Sequence, residues 1–262
     1  MNKLEKLIRI NRLLLDDQPQ YKDDAGTFPA DVGSQRRLMR SLMNVRYPKI
    51  IPQELIRCHD EYLSEEREEK GVIHISELPA SEKDERLILW QGDITRLNAD
   101  AIVNAANSQM LGCFVPCHGC IDNAIHSAAG LQLRQECAEI MRQQGHEEST
   151  GQAKITSGYN LPSKHVIHTV GPIIYGSLTR KDEELLASCY RSCLECADEN
   201  GLTSIAFCCI STGEFHFPNA RAAEIAVQTV KEYLNANNTS VKKVIFNVFK
   251  DLDKEIYQRL MT

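Results

Sequence analysis

The sequence predicts a three-layer α/β domain with a mixed, largely parallel sheet, preceded by a mainly helical extension. From Leu87 onward, short apolar runs alternate with segments of helical periodicity, which is typical of chains whose strands are connected by crossover helices. Residues 1–85 lack this alternation and place apolar residues at helical spacing. A length of 262 residues suits one large domain with an appendage. We therefore assign 1–85 to the extension and 86–262 to the α/β domain.

Three helices are predicted in the extension. The first carries leucines at near-helical spacing and ends before Pro19. The second spans Ser34–Val45 and stops before the Tyr47-Pro48 pair, because a residue that precedes proline disfavours helical backbone angles. The third spans Pro52–Lys70 and ends in a charged run typical of a solvated helix end. An edge strand is expected at Val72–Ile75, and the extension shows no catalytic constellation.

Six strands and five helices are predicted in the α/β domain. The strands share a short apolar run bounded by turn residues, at Leu87–Gln91, Ala101–Val103, Ala153–Ser157, His165–Val170, Ser204–Ile210 and Lys243–Val248. The helices share a helical apolar period, at Asp122–Ala129, Leu131–Gln144, Asp182–Asn200, Asn219–Asn235 and Asp251–Leu260. Cys189, Cys193 and Cys196 lie on one face of such a helix, so we interpret them as core residues.

Composition argues against several classes of protein. Thirty basic and 36 acidic side chains give a net charge of −6, which disfavours binding to nucleic acid or to an anionic membrane. No stretch approaches the roughly 20 apolar residues of a membrane span, and the first residues lack a signal-peptide core. We expect a cytoplasmic protein, whose ten cysteines are core residues, metal ligands or reactive thiols rather than disulfides.

The loop after the strand at Ala101–Val103 holds four potential metal ligands within eight residues. Cys113, His118 and Cys120 form a C-x4-H-x-C pattern, and thiolate and imidazole ligands suit Zn²⁺ in a tetrahedral site. Three protein ligands leave a fourth position for water or substrate, as in catalytic zinc sites. Cys117 would close the site as a fourth ligand, but its adjacency to His118 makes simultaneous ligation awkward. The alternative, small buried hydrophobes, fits poorly with so many ligands in one loop.

Two further turns follow predicted strands. Gly92-Asp93-Ile94-Thr95 places a carboxylate that can either accept a hydrogen bond from a ligand amino group or cap its own short turn. Ser211-Thr212-Gly213-Glu214-Phe215 precedes a helix, so its backbone N–H groups can bind a phosphate, although an ordinary connection has the same pattern. His165 and His168 face opposite sides of their strand, and we interpret both as packing or hydrogen-bonded residues.

Five motifs occur together, in the order GDIT, DAIVNAAN, IDNAIHSAAG, SGYNLPSKHVIHTVGP and SIAFCCISTGEF. Their order and spacing resemble those of the macrodomains, the fold that binds ADP-ribose, from roughly Leu87 to the C-terminus. The chain is similar to the members that remove ADP-ribose from proteins, and more closely to the zinc-dependent microbial branch, whose genes are linked to a sirtuin-type ADP-ribosyltransferase. GCFVPCHGC replaces the glycine run of many hydrolytic macrodomains, which points to that branch. His216 also replaces a glycine that is common in the wider fold.

The resemblance implies roles for individual residues. Asp93 would accept the adenine amino group beside the Ile94 backbone, and Asn107 would hydrogen-bond the distal ribose and assist catalysis. The diphosphate and the distal ribose would lie on the turn after the fifth predicted strand, at Ser211, Thr212, Gly213, Glu214 and Phe215. Asp122 matches the acidic residue implicated in hydrolysis. The remaining roles would be loop support, adenine packing and metal ligation, at Asn104, at Phe249, and at Cys113, His118 and Cys120.

The resemblance implies a hydrolase that cleaves the bond between a protein side chain and C1 of the distal ribose of mono-ADP-ribose. Zn²⁺ would activate a water or polarise a ribose hydroxyl, and Asp122 would act as general base. Two alternatives stay open: a reader of ADP-ribose with a structural zinc, and a deacetylase of O-acetyl-ADP-ribose. The implied partners are ADP-ribose, a mono-ADP-ribosylated protein and a sirtuin-type ADP-ribosyltransferase system.

Overall fold

The computed structural model describes residues 1–236 and 238–261. In the extension it shows helices α1 to α4, at Lys3–Asp17, Lys22–Ala25, Val32–Val45 and Gln53–Lys70. The single-turn α2 was not predicted, since four residues are too few to show a helical period. Asn2 and Asp31 cap the N-termini of α1 and α3, because each side chain accepts a hydrogen bond from a backbone N–H of the first turn. The predicted edge strand is shorter than expected, at Ile73–His74 (β1).

The extension has a hydrophobic core of its own. Apolar faces of its helices meet around fully buried side chains, among them Leu7, Leu14, Leu55 and Tyr62. Leu131 of the α/β domain joins this cluster, so the extension packs on that domain along a shared apolar seam. Burial of these side chains accounts for helices that would be only marginally stable alone.

The α/β domain is built on a six-stranded sheet. Its strands β2 and β4 to β8 lie at Leu87–Gln91, Ala101–Ala106, Ala153–Ser157, His165–Val170, Ser204–Phe207 and Lys243–Val248. The short β3, at Leu97–Asn98, pairs with β1 outside this sheet. The order is β2-β8-β7-β4-β6-β5, and every neighbouring pair is parallel except β5 with β6. The sheet is therefore mixed and largely parallel, as predicted.

Helices α5 to α9 lie at Ile121–Ala129, Leu131–Gln144, Arg180–Glu199, Asn219–Ala236 and Asp251–Met261. They pack on the sheet, with α5 against β4, α7 against β5 and β6, and α9 against β2 and β8. Cys189, Cys193 and Cys196 of α7 are all buried, which confirms their prediction as core residues. Within the described residues, none of the helices combines the length and apolarity needed to cross a membrane.

Strand β4 lies at the point where the order of the sheet reverses. It pairs with β6 on one side and with β7 on the other, so the chain leaves β4 and β7 toward opposite sides. A crevice opens at the carboxyl ends of parallel strands at such a point, and α/β sheets bind ligands there. The two loops that border this crevice follow β4 and β7, and they hold most of the residues singled out from the sequence.

Candidate functional site

The sequence-predicted site residues lie along one edge of the sheet. Because five of the six strands of the main sheet run parallel, the segments after their carboxyl ends share this edge. Four of these segments contain residues already singled out from the sequence: Asp93 after β2, Asn107 after β4, Ser211–Phe215 after β7 and Phe249 after β8. The sheet thus brings together residues separated by more than a hundred positions in the chain.

Three side chains of the loop after β4 form a potential metal site. The ligand atoms of Cys113, His118 and Cys120 all lie within 4.8 Å of one another, and the three residues are half-buried. Tetrahedral Zn²⁺ bonds of about 2.0–2.3 Å place neighbouring ligand atoms roughly 3.5 Å apart, so this spacing fits zinc. Burial raises the pKa of the Cys120 thiol to about 11, and a bound metal would displace its proton.

Cys117 lies outside this group of donors. Its Sγ is 3.4 Å from the hydroxyl of Ser41 and 3.6 Å from the Arg37 carbonyl oxygen, both on α3. Its backbone is left-handed, with φ of 53°. Because adjacent residues in this turn point their side chains to different sides, His118 faces the other donors while Cys117 faces the extension. The structure therefore favours three protein ligands over four.

Asp122 lies in the first turn of α5, two residues after Cys120. Its side chain is buried, and the Asn104 amide donates a hydrogen bond of 2.8 Å to Oδ1. Burial raises the pKa of Asp122 to about 6, whereas the Asn104 hydrogen bond and the charge of Arg134 act in the opposite direction. A raised pKa near neutrality suits a group that exchanges a proton with water.

His126 contacts Asp122, and His168 contacts Asn104, the hydrogen-bond partner of Asp122. His126 Nε2 is 3.5 Å from Asp122 Oδ1, but burial lowers the pKa of His126 well below its ordinary value, so this contact is not an ion pair. His168 Nδ1 lies 3.1 Å from the Asn104 amide and Nε2 lies 3.0 Å from the Thr156 hydroxyl. His168 is thus a hydrogen-bonded interior residue, as predicted. Asn104 was expected to support the loop after β4, but its amide instead binds the Asp122 carboxylate.

Asn107 shapes the turn that leads into the loop of the potential metal site, residues 113–120, which we call the metal loop. Its amide donates to the Gly112 carbonyl at 3.3 Å, and its Oδ1 accepts from the Gln109 N–H at 3.1 Å. A Cβ atom at Gly112 would lie 2.9 Å from the His126 ring, so only glycine fits where this turn crosses the histidine. The position of Asn107 at the crevice is compatible with ribose binding, which stays a prediction.

The loop after β7 closes the other side of the crevice. Ser211 is buried with φ of 64°, and its carbonyl accepts from the Phe217 N–H at 3.0 Å. The Phe215 carbonyl accepts from the Ile174 N–H at 2.9 Å, which anchors the loop to the segment after β6. His216 has φ of 56°, a conformation that explains why glycine is common here in the wider fold.

This loop also meets the metal loop. Glu214 Oε1 lies 3.7 Å from His118 Nε2, so the two segments that border the crevice approach each other here. Thr212 and Glu214 are accessible there, as is the backbone of Gly213. A ligand whose phosphates bind the loop after β7 would therefore extend toward the metal donors and Asp122.

The turn after β2 serves partly as its own cap. Asp93 Oδ1 accepts hydrogen bonds from the N–H and the hydroxyl of Thr95, at 3.0 and 2.7 Å. The capping interpretation is thus realised, and an adenine contact would have to use the second carboxylate oxygen or the backbone of the turn. Ile94 is buried, whereas Phe249 is 75% exposed after β8. The ligand roles of these residues stay predictions.

The extension contacts the metal loop, which the sequence analysis missed. The Arg40 guanidinium donates to the His118 carbonyl at 3.0 Å, although the two residues are 78 positions apart. Asn44 Oδ1 accepts from the Cys117 N–H at 2.9 Å. The one sequence feature that could have indicated this contact is the spacing of Arg40 and Asn44, which are four residues apart on α3 and therefore lie on one helix face. Nothing in the local sequence indicates what that face contacts.

The fold and this crevice define a macrodomain. A sequence model of the family described as "Macro domain" matches residues 103–226. The chain belongs to this family, because it is also 51% identical over 264 residues to a protein of Treponema medium named protein-ADP-ribose hydrolase, across 100% of both chains. The predicted fold class is thereby confirmed.

Two other comparisons bear on function. A protein of Fusarium oxysporum f. sp. cubense, named "Probable bifunctional ADP-ribose hydrolase/ADP-ribosyltransferase", is 42% identical over 88% of this chain and 42% of its own length. The Trypanosoma brucei macrodomain, solved in complex with ADP-ribose, is 30% identical over 85% of this chain and 95% of that chain, with a TM-score of 0.66. Both are similar to this chain well beyond the segment matched by the family model.

Proposed function

We propose that this protein hydrolyses the bond between mono-ADP-ribose and a modified protein side chain, assisted by a zinc ion. The observation that carries the proposal is the buried carboxylate of Asp122, which stands two residues from a converging group of three metal donors. The full-length Treponema relative is named protein-ADP-ribose hydrolase, which supports the reaction class. The resemblance to the zinc-dependent branch suggests an acidic side chain as the site of modification.

The ligand would bind across the crevice. The Trypanosoma macrodomain, solved in complex with ADP-ribose, supports ADP-ribose as the ligand. The diphosphate would accept hydrogen bonds from backbone N–H groups of the loop after β7, which the Phe215 carbonyl anchors to Ile174 in the segment after β6. Asp93 and the Ile94 backbone would bind adenine at one end. Asn107 would bind the distal ribose at the other, which brings C1 toward Asp122.

Cys113, His118 and Cys120 would hold Zn²⁺, which supplies Lewis acidity beside the distal ribose when bound. Asp122 would orient a water for attack at C1 and accept its proton, while the side-chain carboxylate of the modified protein leaves. Asn104 fixes one oxygen of Asp122 and so orients the carboxylate for this step. The loop after β7, which we call the phosphate loop (Ser211–Phe215), would hold the substrate in place. Positioning of the substrate would therefore supply much of the rate enhancement.

The substrate would come from an ADP-ribosyltransferase. The Fusarium relative, whose name combines hydrolase and ADP-ribosyltransferase, supports a coupling of the two activities, and we extend it to a sirtuin-type transferase. All ten cysteines are free thiols, in keeping with the cytoplasm as the compartment of the reaction.

The test is release of ADP-ribose from a protein mono-ADP-ribosylated on an acidic side chain. We expect Asp122→Ala to lower the release rate by about 10²–10⁴-fold, the usual contribution of a general base, while ADP-ribose affinity is retained. We expect a strong chelator to abolish release and added zinc to restore it.

Three results would contradict parts of the proposal. Wild-type rates in Asp122→Ala would remove this residue from catalysis. Release that survives verified zinc removal would reduce the metal to a structural role. ADP-ribose binding without release from any linkage would favour the reader, and preferential cleavage of O-acetyl-ADP-ribose would favour the deacetylase.

A further inference from the structure

We infer that Arg40 and Asn44 of the N-terminal extension are positioning residues of the metal site. They hold the loop 113–120 in the conformation that brings its three donors together, so the extension is a structural part of the active centre. The inference rests on the proposed function, because it assumes that these donors bind zinc. It concerns residues that touch neither the donors' ligand atoms nor the ligand crevice.

Arg40 connects the metal loop to the helix that carries Asp122. Its guanidinium donates to the His118 carbonyl at 3.0 Å, and it donates twice to Asn123 Oδ1, at 2.6 and 3.0 Å. The Asn123 amide in turn donates to the Val115 carbonyl at 3.0 Å. A single planar guanidinium thus fixes the backbone of one metal ligand relative to the residue after Asp122.

Asn44 makes a second connection of the same kind. It is 1% exposed, its Oδ1 accepts from the Cys117 N–H at 2.9 Å, and its amide donates to the Ser127 hydroxyl at 3.2 Å. Cys117 has the left-handed φ of 53°, a conformation that non-glycine residues adopt only when their surroundings hold them there. The Asn44 side chain supplies one such restraint, immediately before the ligand His118.

The metal loop has little structure of its own. Among the described residues, residues 113–119 share one backbone–backbone hydrogen bond, from the His118 N–H to the Val115 carbonyl at 3.2 Å. The other restraints come from side chains outside the loop. Arg134 also contributes, since it donates to the Cys113 carbonyl at 3.3 Å and to three carbonyls at the end of α3. Without these contacts the donors would sample many arrangements, and metal binding would have to order them.

The experiment measures zinc affinity of the full chain by competition with a chromogenic chelator. We expect Arg40→Ala and Asn44→Ala each to raise the zinc Kd by about 10–100-fold, the usual effect of removing a partner that orients metal ligands. Arg40→Lys and Asn44→Asp should recover part of the affinity, because each retains one of the lost hydrogen bonds. The affinity for ADP-ribose should stay within about twofold of wild type, since the phosphate loop is untouched.

Matched controls separate positioning from general destabilisation. Arg9→Ala removes an arginine of the extension that pairs with Glu54 on α4 at 2.6 Å. Asn11→Ala removes a buried asparagine whose amide donates to Gln35 at 2.9 Å. Within the described part of the chain, Arg9 hydrogen-bonds to Glu54 and Asn11 to Gln35, and neither bond reaches the metal loop, so both variants should keep the wild-type zinc Kd even if their melting temperatures fall.

Hydrogen exchange gives a readout that does not need the metal. In chelated protein, Asn44→Ala should speed exchange of the Cys117 amide, whereas Asn11→Ala should not. Zinc affinities of the Arg40 and Asn44 variants that match those of the controls would overturn the inference. If wild-type protein binds no zinc, the proposed metal fails, and the exchange rate of Cys117 alone then decides whether the extension orders the loop.

Discussion

Cys117 and Cys120 are three residues apart in one loop, yet their side chains have different surroundings. Cys120 Sγ belongs to the group of donors within 4.8 Å of one another, and it also accepts the Asn123 N–H at 3.4 Å. Cys117 Sγ instead packs on α3 beside Ser41. Both side chains are thiols of the same loop, so the backbone conformation of each residue decides which one can bind a metal.

Serine substitution tests this assignment. We expect Cys120→Ser and Cys113→Ser to lose stoichiometric zinc, because a hydroxyl is a far weaker zinc ligand than a thiolate. Cys117→Ser should retain one zinc per chain. Metal content after gel filtration, measured by mass spectrometry, checks all three, and loss of zinc from Cys117→Ser alone would contradict a three-ligand site.

Among the elements, the loop after β7 depends on a close approach to the end of β6. A Cβ atom on Gly171 would lie 2.0 Å from Ser211 Oγ and 2.9 Å from a methyl group of Ile210. Both neighbours are buried residues of this loop, so we expect relief of the clash to displace the loop. Glycine at position 171 is thus explained by packing rather than by backbone angle.

Gly171→Ala should therefore weaken ADP-ribose binding. We expect the Kd to rise by roughly tenfold, about 1.4 kcal/mol, because the displaced loop no longer presents its N–H groups at hydrogen-bonding distance. Gly33→Ala is a suitable control, since its Cβ would meet only the Asp31 side chain, at 3.4 Å. Calorimetric titration with ADP-ribose measures both, and equal affinities would show that Ser211 can rotate away without moving the loop.

At the scale of the whole molecule, a buried histidine and a half-buried carboxylate make stability depend on pH in different ranges. His59 lies in the core of the extension, where Nε2 is 3.0 Å from the Met43 sulfur. Burial lowers the pKa of His59 from 6.5 to about 4, so the folded chain binds fewer protons than the unfolded chain between these values. The stability that depends on neutral His59 is therefore fully present above about pH 6.5 and is lost as the pH decreases toward 4.

His59→Leu should remove this dependence. Relative to the variant, we expect the wild type to lose roughly 3 kcal/mol of unfolding free energy between pH 7 and pH 4, because the unfolded chain takes up a proton on His59 well before the folded chain does. Urea denaturation of both proteins at several pH values provides the measurement. A constant difference across this range would mean that the extension unfolds separately or that His59 is hydrated.

Asp100 connects the amino ends of three neighbouring strands. Burial alone would raise its pKa, but hydrogen bonds from Lys164 and from Thr203 lower the pKa well below its ordinary value of 3.8. Ser204 donates to the same carboxylate. This stabilisation is complete above about pH 4 and is lost as the pH falls further, because protonation removes the charge that these donors bind.

Asp100→Asn should reduce the free energy of unfolding by about 2 kcal/mol at pH 7, the usual contribution of hydrogen bonds to a charged group. The deficit should shrink as the pH falls below 4, because the unfolded wild-type chain then binds a proton at Asp100 that the folded chain does not yet bind. Denaturant unfolding at pH 7 and pH 3 compares the two conditions. An undiminished deficit at pH 3 would indicate that the shape of the carboxylate, and not its charge, matters.

Local periodicity was sufficient to predict most of the fold. The bounds of β2, β5, β6, β8 and α6 agree with the predicted ranges, because each is a clear apolar run or helical period between turn residues. Besides α2 and β1 of the extension, the largest differences from the predicted ranges lie at loops of the site. Strand β4 continues to Ala106, three residues beyond its prediction, and β7 ends at Phe207, three residues before its prediction.

By itself, the sequence determined the architecture, the family resemblance and the chemical identity of the site residues, since these follow from patterns within short segments. Tertiary structure alone decided which thiols converge, that Asp122 is buried beside them, and that α3 holds the metal loop. The reason is physical: a contact between Arg40 and His118 joins segments 78 residues apart, and its energy depends on packing that no local pattern encodes.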